Sequence, residues 1–230
     1  MRFSPSSKGR LTERDLGRFP DESLFHRLAR ACCRAGCLPR KELFEAWETA
    51  RRVRRLFRGG RVVDVGGGHG LLAHVMLLLD DSSPEALVVD TALAPCGERL
   101  REVLTDEWPR LTRRVVFLAA RFDEVPLGPG DVVVSVHGCG GLSDVVLMRA
   151  AAARARVAVL PCCHDLDVND DAGLSGWVDG PVAVDIVRAL RLRQQGYRIW
   201  AQSISADITP KNRLLIGAPA PETSAGSTPP

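Results

Sequence analysis

The sequence predicts an α/β fold built around a parallel, doubly wound sheet. From residue 61 onward, short apolar runs alternate with segments of helical periodicity, which is the pattern of such a sheet. The first run leads into a glycine-rich turn and then an apolar helix, a unit typical of ligand-binding α/β proteins. The 230 residues suffice for one sizeable domain, with about 50 to 60 residues left over.

The first sixty residues predict a small, basic helical appendage. Residues 1–20 are polar and irregular, and we expect them to be poorly ordered. Apolar residues at helical spacing begin near Leu24 and stop at Gly36, and a second stripe runs through residues 40–58. The outer face of this second helix is predicted to carry five arginines: Arg51, Arg52, Arg54, Arg55 and Arg58.

The remaining elements follow in order along the chain. Strands are predicted at residues 62–65, 86–90, 115–119, 132–136, 157–160, 197–203 and 213–217. Helices are predicted at residues 71–79, 96–108, 142–154 and 182–195. The tail, residues 218–230, is rich in Pro, Ala, Ser and Thr and predicts a disordered end. The predicted units are therefore residues 1–60, 61–217 and 218–230.

The most informative segment is RVVDVGGGHG, residues 61–70. It joins a buried strand containing Asp64 to a turn in which Gly66, Gly68 and Gly70 alternate with other residues. Because glycine has no Cβ and tolerates positive φ, backbone in such a turn can approach a bound cofactor closely. A pyrophosphate-binding fingerprint needs G-x-G-x-x-G, and the last glycine of that pattern is missing here.

The second predicted strand also ends in an acid, Asp90, twenty residues after Gly70. In a doubly wound sheet an acid at this place hydrogen-bonds a ribose diol. Asp64, the spaced glycines and Asp90 together resemble motifs I and II of the class I S-adenosylmethionine-dependent methyltransferases. The alternative is a glycine-rich turn in another nucleotide-binding sheet.

The resemblance implies a seven-stranded Rossmann-like sheet with a small N-terminal helical appendage, and S-adenosyl-L-methionine as cofactor. It implies that the first acid and the glycine turn hold the methionine end, and that the second acid holds the ribose hydroxyls. In that family an acid after the third strand reaches the adenine amino group, which makes Asp123 a candidate; Glu124, or neither residue, is the alternative.

Two loops after predicted strands are dense in reactive side chains: HGCGGLSD, residues 137–144, and PCCH, residues 161–164. They resemble a branch of methyltransferases that includes the eukaryotic methyltransferase-like proteins and the tRNA methyltransferase acting on a 2′-hydroxyl of the acceptor stem. The zinc-finger modules of the eukaryotic tRNA enzyme have no counterpart in this sequence. In this topology the first loop faces the transferable methyl group, so His137 is expected both at the cofactor and at the acceptor.

Either His137 or His164 is predicted to act as general base on a hydroxyl or amine, because imidazole titrates near neutral pH. Asp144 or Asp165 is predicted to orient that histidine. Alignment of the acceptor with the methyl group supplies much of the rate of such a transfer. The predicted catalytic residues are therefore His137, Asp144 and His164.

The cysteines allow two interpretations. Seven cysteines in a chain with no export signal predict reduced thiols rather than disulfides. Cys139, Cys162, Cys163 and His164 include the ligand types of a tetrahedral zinc site. The alternative is a tightly packed turn with buried free thiols, which behave as small apolar groups.

Charge is distributed unevenly along the chain. Residues 1–61 carry 16 Lys and Arg against 7 Asp and Glu, whereas the chain as a whole has a net charge of only +3. A basic segment beside an acidic domain is the layout expected for a polyanionic partner, here RNA bound through the arginine-rich helices. The alternative is a solvated helix surface.

The sequence therefore predicts an S-adenosylmethionine-dependent methyltransferase whose preferred substrate is tRNA or rRNA. The alternatives are a methyltransferase of a small molecule or protein, and a non-catalytic cofactor- or metal-binding protein on the same fold. No apolar run approaches the ~20 residues that span a bilayer, and the N-terminus lacks the apolar core of a signal peptide. We therefore expect a cytoplasmic protein that does not contact membranes.

Overall fold

The computed structural model describes residues 4–138 and 140–221. Its strands are β1 (Val62–Val65), β2 (Ala86–Asp90), β3 (Val115–Ala119), β4 (Val132–Val136), β5 (Arg156–Leu160), β6 (Tyr197–Ser203) and β7 (Arg213–Pro219). They form one seven-stranded sheet in the order β3-β2-β1-β4-β5-β7-β6. The first five strands run parallel, and β7 is antiparallel to both β5 and β6. The predicted α/β class and strand number are confirmed.

Helices cover both faces of this sheet. They are α1 (Leu24–Ala35), α2 (Arg40–Leu56), α3 (Leu71–Leu79), α4 (Cys96–Glu107), α5 (Leu142–Ala152) and α6 (Gly180–Gln194). Side chains of the first four helices share a core with Val62 and Val134, whereas side chains of α5 and α6 share a core with Val63 and Val133. The central strands are buried on both faces, which explains why they are continuous apolar runs.

The N-terminal helices belong to the main core. Leu28 of α1 and Leu43 and Val53 of α2 are fully buried in the same cluster as Leu71 of α3. The sequence predicted an appendage ending at residue 60; in the described residues 4–60, the buried side chains of α1 and α2 share their cluster with α3. The packing of α1 and α2 onto the sheet layer therefore makes residues 24–56 part of the α/β unit.

The expected disorder of residues 1–20 is wrong for the part that is described. Leu11 and Phe19 are buried, and the Leu11 N–H donates to the Leu38 carbonyl at 2.8 Å. A 3₁₀ turn, Glu13–Arg18, connects these two anchors. Burial of two large apolar side chains fixes this segment although its composition is mostly polar.

Arg54 was predicted to face solvent but is only 2% exposed. Its guanidinium lies 3.1 Å from an Asp80 carboxylate oxygen and donates to the Ser83 hydroxyl and to the Met76 carbonyl. The arginine is therefore buried where α2 meets α3, because Asp80 lies within ion-pair distance of Nη1 and two hydrogen bonds satisfy donors on Nε and Nη2. Of the other predicted arginines, Arg55 and Arg58 are exposed.

Element ends differ from the predicted ones by a few residues. Helix α6 begins at Gly180 rather than 182, and β5 begins at Arg156. Strand β7 runs to Pro219 because Ala218 and Pro219 still pair with β6, so the tail begins later than predicted. Residues 222–230, which hold most of the predicted disordered tail, lie outside the described part. No helix in residues 4–138 and 140–221 is long and apolar enough to cross a membrane.

Candidate cofactor and acceptor site

The turn after β1 depends on glycine. Gly66, Gly68 and Gly70 have φ values of 67°, 48° and 75°, in the left-handed region that side chains rarely adopt. At Gly70 an added Cβ would also lie 2.8 Å from the Phe117 ring. The turn therefore brings bare backbone to the carboxyl end of β1, where ligands of open α/β sheets bind.

Asp64 lies beneath this turn and is 1% exposed. One carboxylate oxygen accepts the Ala73 N–H at 3.1 Å, which ties β1 to the first turn of α3. Burial raises the pKa of Asp64 to about 7, although the hydrogen bond from Ala73 acts in the opposite direction. The carboxyl group thus changes charge near neutral pH.

Asp90 is the last residue of β2, and it accepts a hydrogen bond from the glycine turn that follows the neighbouring strand β1. Its two carboxylate oxygens accept the Gly68 N–H at 3.1 Å and the Ala92 N–H at 3.2 Å. The residue is only half-buried. Because each carboxylate oxygen has a second lone pair, Asp90 can still accept hydrogen bonds from a ligand diol.

Two cavities meet at this turn. A cavity of about 220 Å³ lies over the glycines, and its lining includes Asp64, Gly66, Gly68 and His137. A smaller one of about 70 Å³ shares Gly66 and is bordered by Asp90, Val89, Ala120 and Phe122. Gly70 borders neither cavity. Four predicted cofactor residues thus surround the larger space, and Asp90 and Gly66 border the smaller.

His137 follows β4 in a left-handed conformation with φ of 70°, which is uncommon for a residue with a side chain. Its Nε2 atom lies 2.8 Å from a carboxylate oxygen of Glu45, a residue of α2 that is 1% exposed. The contact is an ion-pair distance without hydrogen-bond alignment, and both atoms are buried. Lys41 contacts the other oxygen of Glu45 at 3.2 Å.

A second carboxylate of α2 meets a second histidine at the same cavity. Glu42 lies 2.6 Å from Nε2 of His69, and Nδ1 of His69 accepts the Leu71 N–H at 3.2 Å. Burial of Glu42 opposes ionisation, but the contacts with His69, His137 and Lys41 hold the pKa of Glu42 below its ordinary value.

The residues predicted from the sequence do not include Glu42, Glu45 or His69. The signal available was two acids three residues apart in the otherwise apolar stripe of α2, a spacing that places them on one helix face. Their partners lie more than twenty residues away along the chain, so only the fold reveals the pairs.

The other two predicted catalytic residues, Asp144 and His164, border neither cavity. Asp144 accepts two hydrogen bonds at 2.8 Å from Arg188, a buried residue of α6, rather than orienting a histidine. His164 lies 2.8 Å from Asp185, also in α6, and its side chain is 1% exposed. These contacts tie the first turn of α5 and the loop after β5 to α6.

Asp123, the predicted contact for adenine, is half exposed and lies within a 3₁₀ turn after β3. It accepts two hydrogen bonds from Arg121, which hold the pKa of Asp123 below its ordinary value. The neighbouring Phe122 borders the smaller cavity instead. Glu124, the alternative, does not border that cavity either.

The proposed metal ligands are only partly visible, because Cys139 lies outside the described residues. The sulfurs of Cys162 and Cys163 are 3.6 Å apart, and the His164 ring is turned toward Asp185. Within residues 4–138 and 140–221, no three His, Cys, Asp or Glu side chains converge as metal ligands would.

Ion pairs neutralise much of the basic N-terminal surface. Arg51 and Arg52 both contact Glu48, and Arg27 and Arg34 both contact Glu107 of α4. The positive charge counted along residues 1–61 is therefore less concentrated on the surface than the sequence suggests.

No protein-family model matches the sequence, and no curated protein has a similar sequence. Solved structures do match. They include an O-methyltransferase family protein from Burkholderia thailandensis, with a TM-score of 0.52 and 18% identity over 92% of this chain and 64% of that one. They also include the S-adenosylmethionine-dependent methyltransferase SibL, with a TM-score of 0.53 and 19% identity over 93% of this chain and 67% of that one. The mitomycin 7-O-methyltransferase MmcR matches with a TM-score of 0.51 and 20% identity over 92% and 64% of the two chains.

These matches show that the chain has the Rossmann-like fold of the class I methyltransferases. The chain spans 64 to 67% of the length of these three proteins. Because the matches cover 92% or more of this chain, most of residues 1–60 lies within the shared architecture. This agrees with the packing of α1 and α2 into the main core.

Proposed function

We propose that this protein is an S-adenosylmethionine-dependent methyltransferase acting on a hydroxyl or amine group of a small molecule. The observation that carries the proposal is the composition of one cavity. Its lining includes the glycine turn and Asp64 together with His137, which lies against the buried Glu45. The same cavity would thus hold the cofactor and present the base to the acceptor.

The residues present fit the cofactor. An added Cβ at Gly68 would approach no atom nearer than 4.0 Å, so the cradle is open on the side where a ligand lies. Asp64 and the glycine turn would hold the methionine end, and Asp90 the ribose hydroxyls. The small cavity beside Phe122 would receive the adenine. When bound, S-adenosylmethionine supplies a methyl group attached to a positively charged sulfur.

His137 is the proposed base. Its Nε2 atom is buried against Glu45, whereas the side chain as a whole is 34% exposed, so Nδ1 is the nitrogen an acceptor can reach. The hydroxyl or amine of the acceptor loses a proton when its oxygen or nitrogen bonds to the methyl group, and Nδ1 takes that proton. Glu45 fixes the ring and stabilises the imidazolium that results. Hydrogen-bond alignment between these two groups is expected to improve once the site is filled.

The acceptor is proposed to be small for two reasons. Helix α2 closes one side of the cavity with Glu42 and Ala46, which limits the space to about 220 Å³. The carboxylate of Glu42, and that of Asp64 when it is ionised, also give this space a negative character that disfavours a polyanion. The O-methyltransferases among the similar structures agree with this class of acceptor.

RNA, either tRNA or rRNA, is the second candidate acceptor. Exposed arginines such as Arg55 and Arg58 favour it, since they extend the basic character of residues 1–61 to the surface. Transfer to RNA would weaken steeply with rising salt, because phosphate contacts release counterions. Transfer to a small uncharged acceptor would be nearly independent of salt.

The test is transfer of a tritiated methyl group from S-adenosylmethionine to pools of phenols, alcohols and amines, and to total RNA, at low and high salt. His137→Ala is expected to lower kcat by about 10²–10⁴-fold, the usual contribution of a general base, and to leave cofactor affinity nearly unchanged. Glu45→Gln should lower kcat less. His26→Ala, in α1 away from the cavity, serves as the matched control.

Undiminished turnover by His137→Ala would contradict the assignment of the base. Salt-sensitive transfer to RNA alone would replace the small-molecule acceptor by RNA. Loss of activity in His26→Ala to the same extent would show that the His137 effect is not specific to the site.

A further inference from the structure

Exposed apolar side chains are concentrated in α5, α6 and the loop that precedes α6. Of the nine large apolar side chains that are exposed in the described residues, seven lie in α5, α6 or the loop that connects β5 to α6. Trp177 is 88% exposed, Met148 59% and Leu190 49%. Exposed apolar side chains gathered in neighbouring elements make this part of the protein the place to look for an interaction surface.

Helix α6 forms a ridge at the centre of this surface. Val182, Ile186 and Leu190 follow one another at intervals of four residues; Ile186 and Leu190 are exposed and Val182 is half-buried. Grooves flank the ridge on both sides. One of about 340 Å³ lies between α5 and α6, and one of about 300 Å³ lies between α6 and strands β6 and β7. A ridge beside a groove is what two packed helices each contribute.

Two exposed residues of opposite charge lie at equal distances from Ile186, one just before α6 and one near its end. Asp179 lies seven residues before Ile186 and Arg193 lies seven residues after it, and both are exposed. Val182 and Leu190 lie four residues before and after it. A two-fold axis at Ile186 would place two copies of α6 antiparallel, with Leu190 against Val182 of the second copy and Arg193 against Asp179 of the second copy.

This arrangement selects the occupant of the surface. An isologous interface requires that one patch be complementary to itself, so that residue i meets j and j meets i. The ridge with its grooves and the opposite charges at equal distances from Ile186 meet that requirement. We propose that the exposed face of α6 is a dimer interface in which a second copy of this chain packs antiparallel across Ile186. The proposal does not depend on the catalytic function.

The first test is sedimentation equilibrium of the full chain over a range of concentrations. The expected result is a reversible association to twice the chain mass of 25.0 kDa. Leu190→Glu should raise the dimer dissociation constant by at least about tenfold, because a charge would be buried without a partner. Leu118→Glu, an exposed apolar site on β3, is the matched control and should leave association unchanged. A monomer at every concentration, or a dimer insensitive to Leu190→Glu, would overturn the proposal.

The second test addresses the antiparallel register. Arg193→Asp and Asp179→Arg should each weaken association, because each places like charges opposite one another twice in the dimer. The double variant restores opposite charges and should recover association. This outcome also separates an interface effect from a folding defect, since a defect would not be repaired by the second substitution. Failure of the double variant to recover would overturn the register and the two-fold axis at Ile186.

Discussion

Asp64 combines full burial with a position directly below the proposed methionine end of the cofactor. Burial raises the pKa of its carboxyl to about 7, so the free protein holds a proton there below neutral pH. An approaching ammonium group favours the ionised carboxylate. The charge state of this one residue is therefore expected to govern how tightly the cofactor binds as pH changes.

We predict that cofactor affinity is greatest above pH 7 and falls as pH drops through about 7, by up to about tenfold per pH unit. Affinity falls at low pH because the cofactor binds the deprotonated carboxylate of Asp64, whereas this carboxyl is protonated in the folded, free protein below that pH. Asp64→Asn should bind more weakly at pH 8 and lose most of the pH dependence. Calorimetry between pH 5.5 and 8.5 measures both effects. An unchanged pH dependence in Asp64→Asn would contradict the assignment.

The sequence could predict that Asp64, Asp90 and His137 lie near one another, because all three stand at or near the carboxyl ends of parallel strands, which share one edge of a sheet. Their roles in binding and catalysis stay predictions. Glu42 and Glu45 were missed because they reach the edge from a helix that packs across it, and no local pattern encodes that packing. Asp144 and His164 were drawn into the predicted site by their neighbours in the chain, but their side chains point toward α6.

Helix α2 makes contacts that could not be predicted from the sequence. Helix α2 brings both carboxylates to the site and is fixed to α3 by the buried pair of Arg54 and Asp80. Amphipathic analysis assigns every arginine to the solvent face, and it therefore placed Arg54 outside. Long apolar strands were predicted correctly because burial on both faces leaves a continuous signal.

We predict that Arg54→Met destabilises the protein by about 3 kcal/mol, because it leaves Asp80 buried with fewer partners. Arg55→Met, at the next position and exposed, should change the free energy of unfolding by less than about 0.5 kcal/mol. Urea unfolding followed by circular dichroism measures both. Equal stability of the two variants would show that the buried pair does not anchor α2.

A substitution of Asp144 distinguishes a structural role for this residue from a catalytic one. We predict that Asp144→Ala lowers stability by roughly 2–3 kcal/mol, since buried Arg188 would keep only Asp185 as its partner. Methyl transfer per folded molecule should remain close to that of the wild type. Thermal unfolding and active-site-normalised rates separate the two effects. A large fall in kcat with unchanged stability would restore the catalytic role that the sequence suggested.

The two faces of the sheet are covered by different helices and carry different surface features. Helices α1 to α4 cover the face from which α2 reaches the cavity, and α5 and α6 cover the opposite face, where the exposed ridge lies. The sequence could supply the fold class, because alternating strands and helices are a local signal summed along the chain. It could not supply the shape of the cavity or the exposed face of α6, since both arise from packing between distant elements.

We propose that the cavity over the glycine turn binds S-adenosylmethionine. Calorimetric titration with S-adenosylmethionine and S-adenosylhomocysteine tests it directly, using the wild type, Asp90→Ala and the control Asp167→Ala, which replaces an exposed aspartate of the loop before α6. We expect one site per chain with micromolar affinity, weakened at least about tenfold in Asp90→Ala by loss of the diol contact. Asp167→Ala should bind like the wild type. Absence of binding by the wild type, or equal binding by Asp90→Ala, would contradict the account.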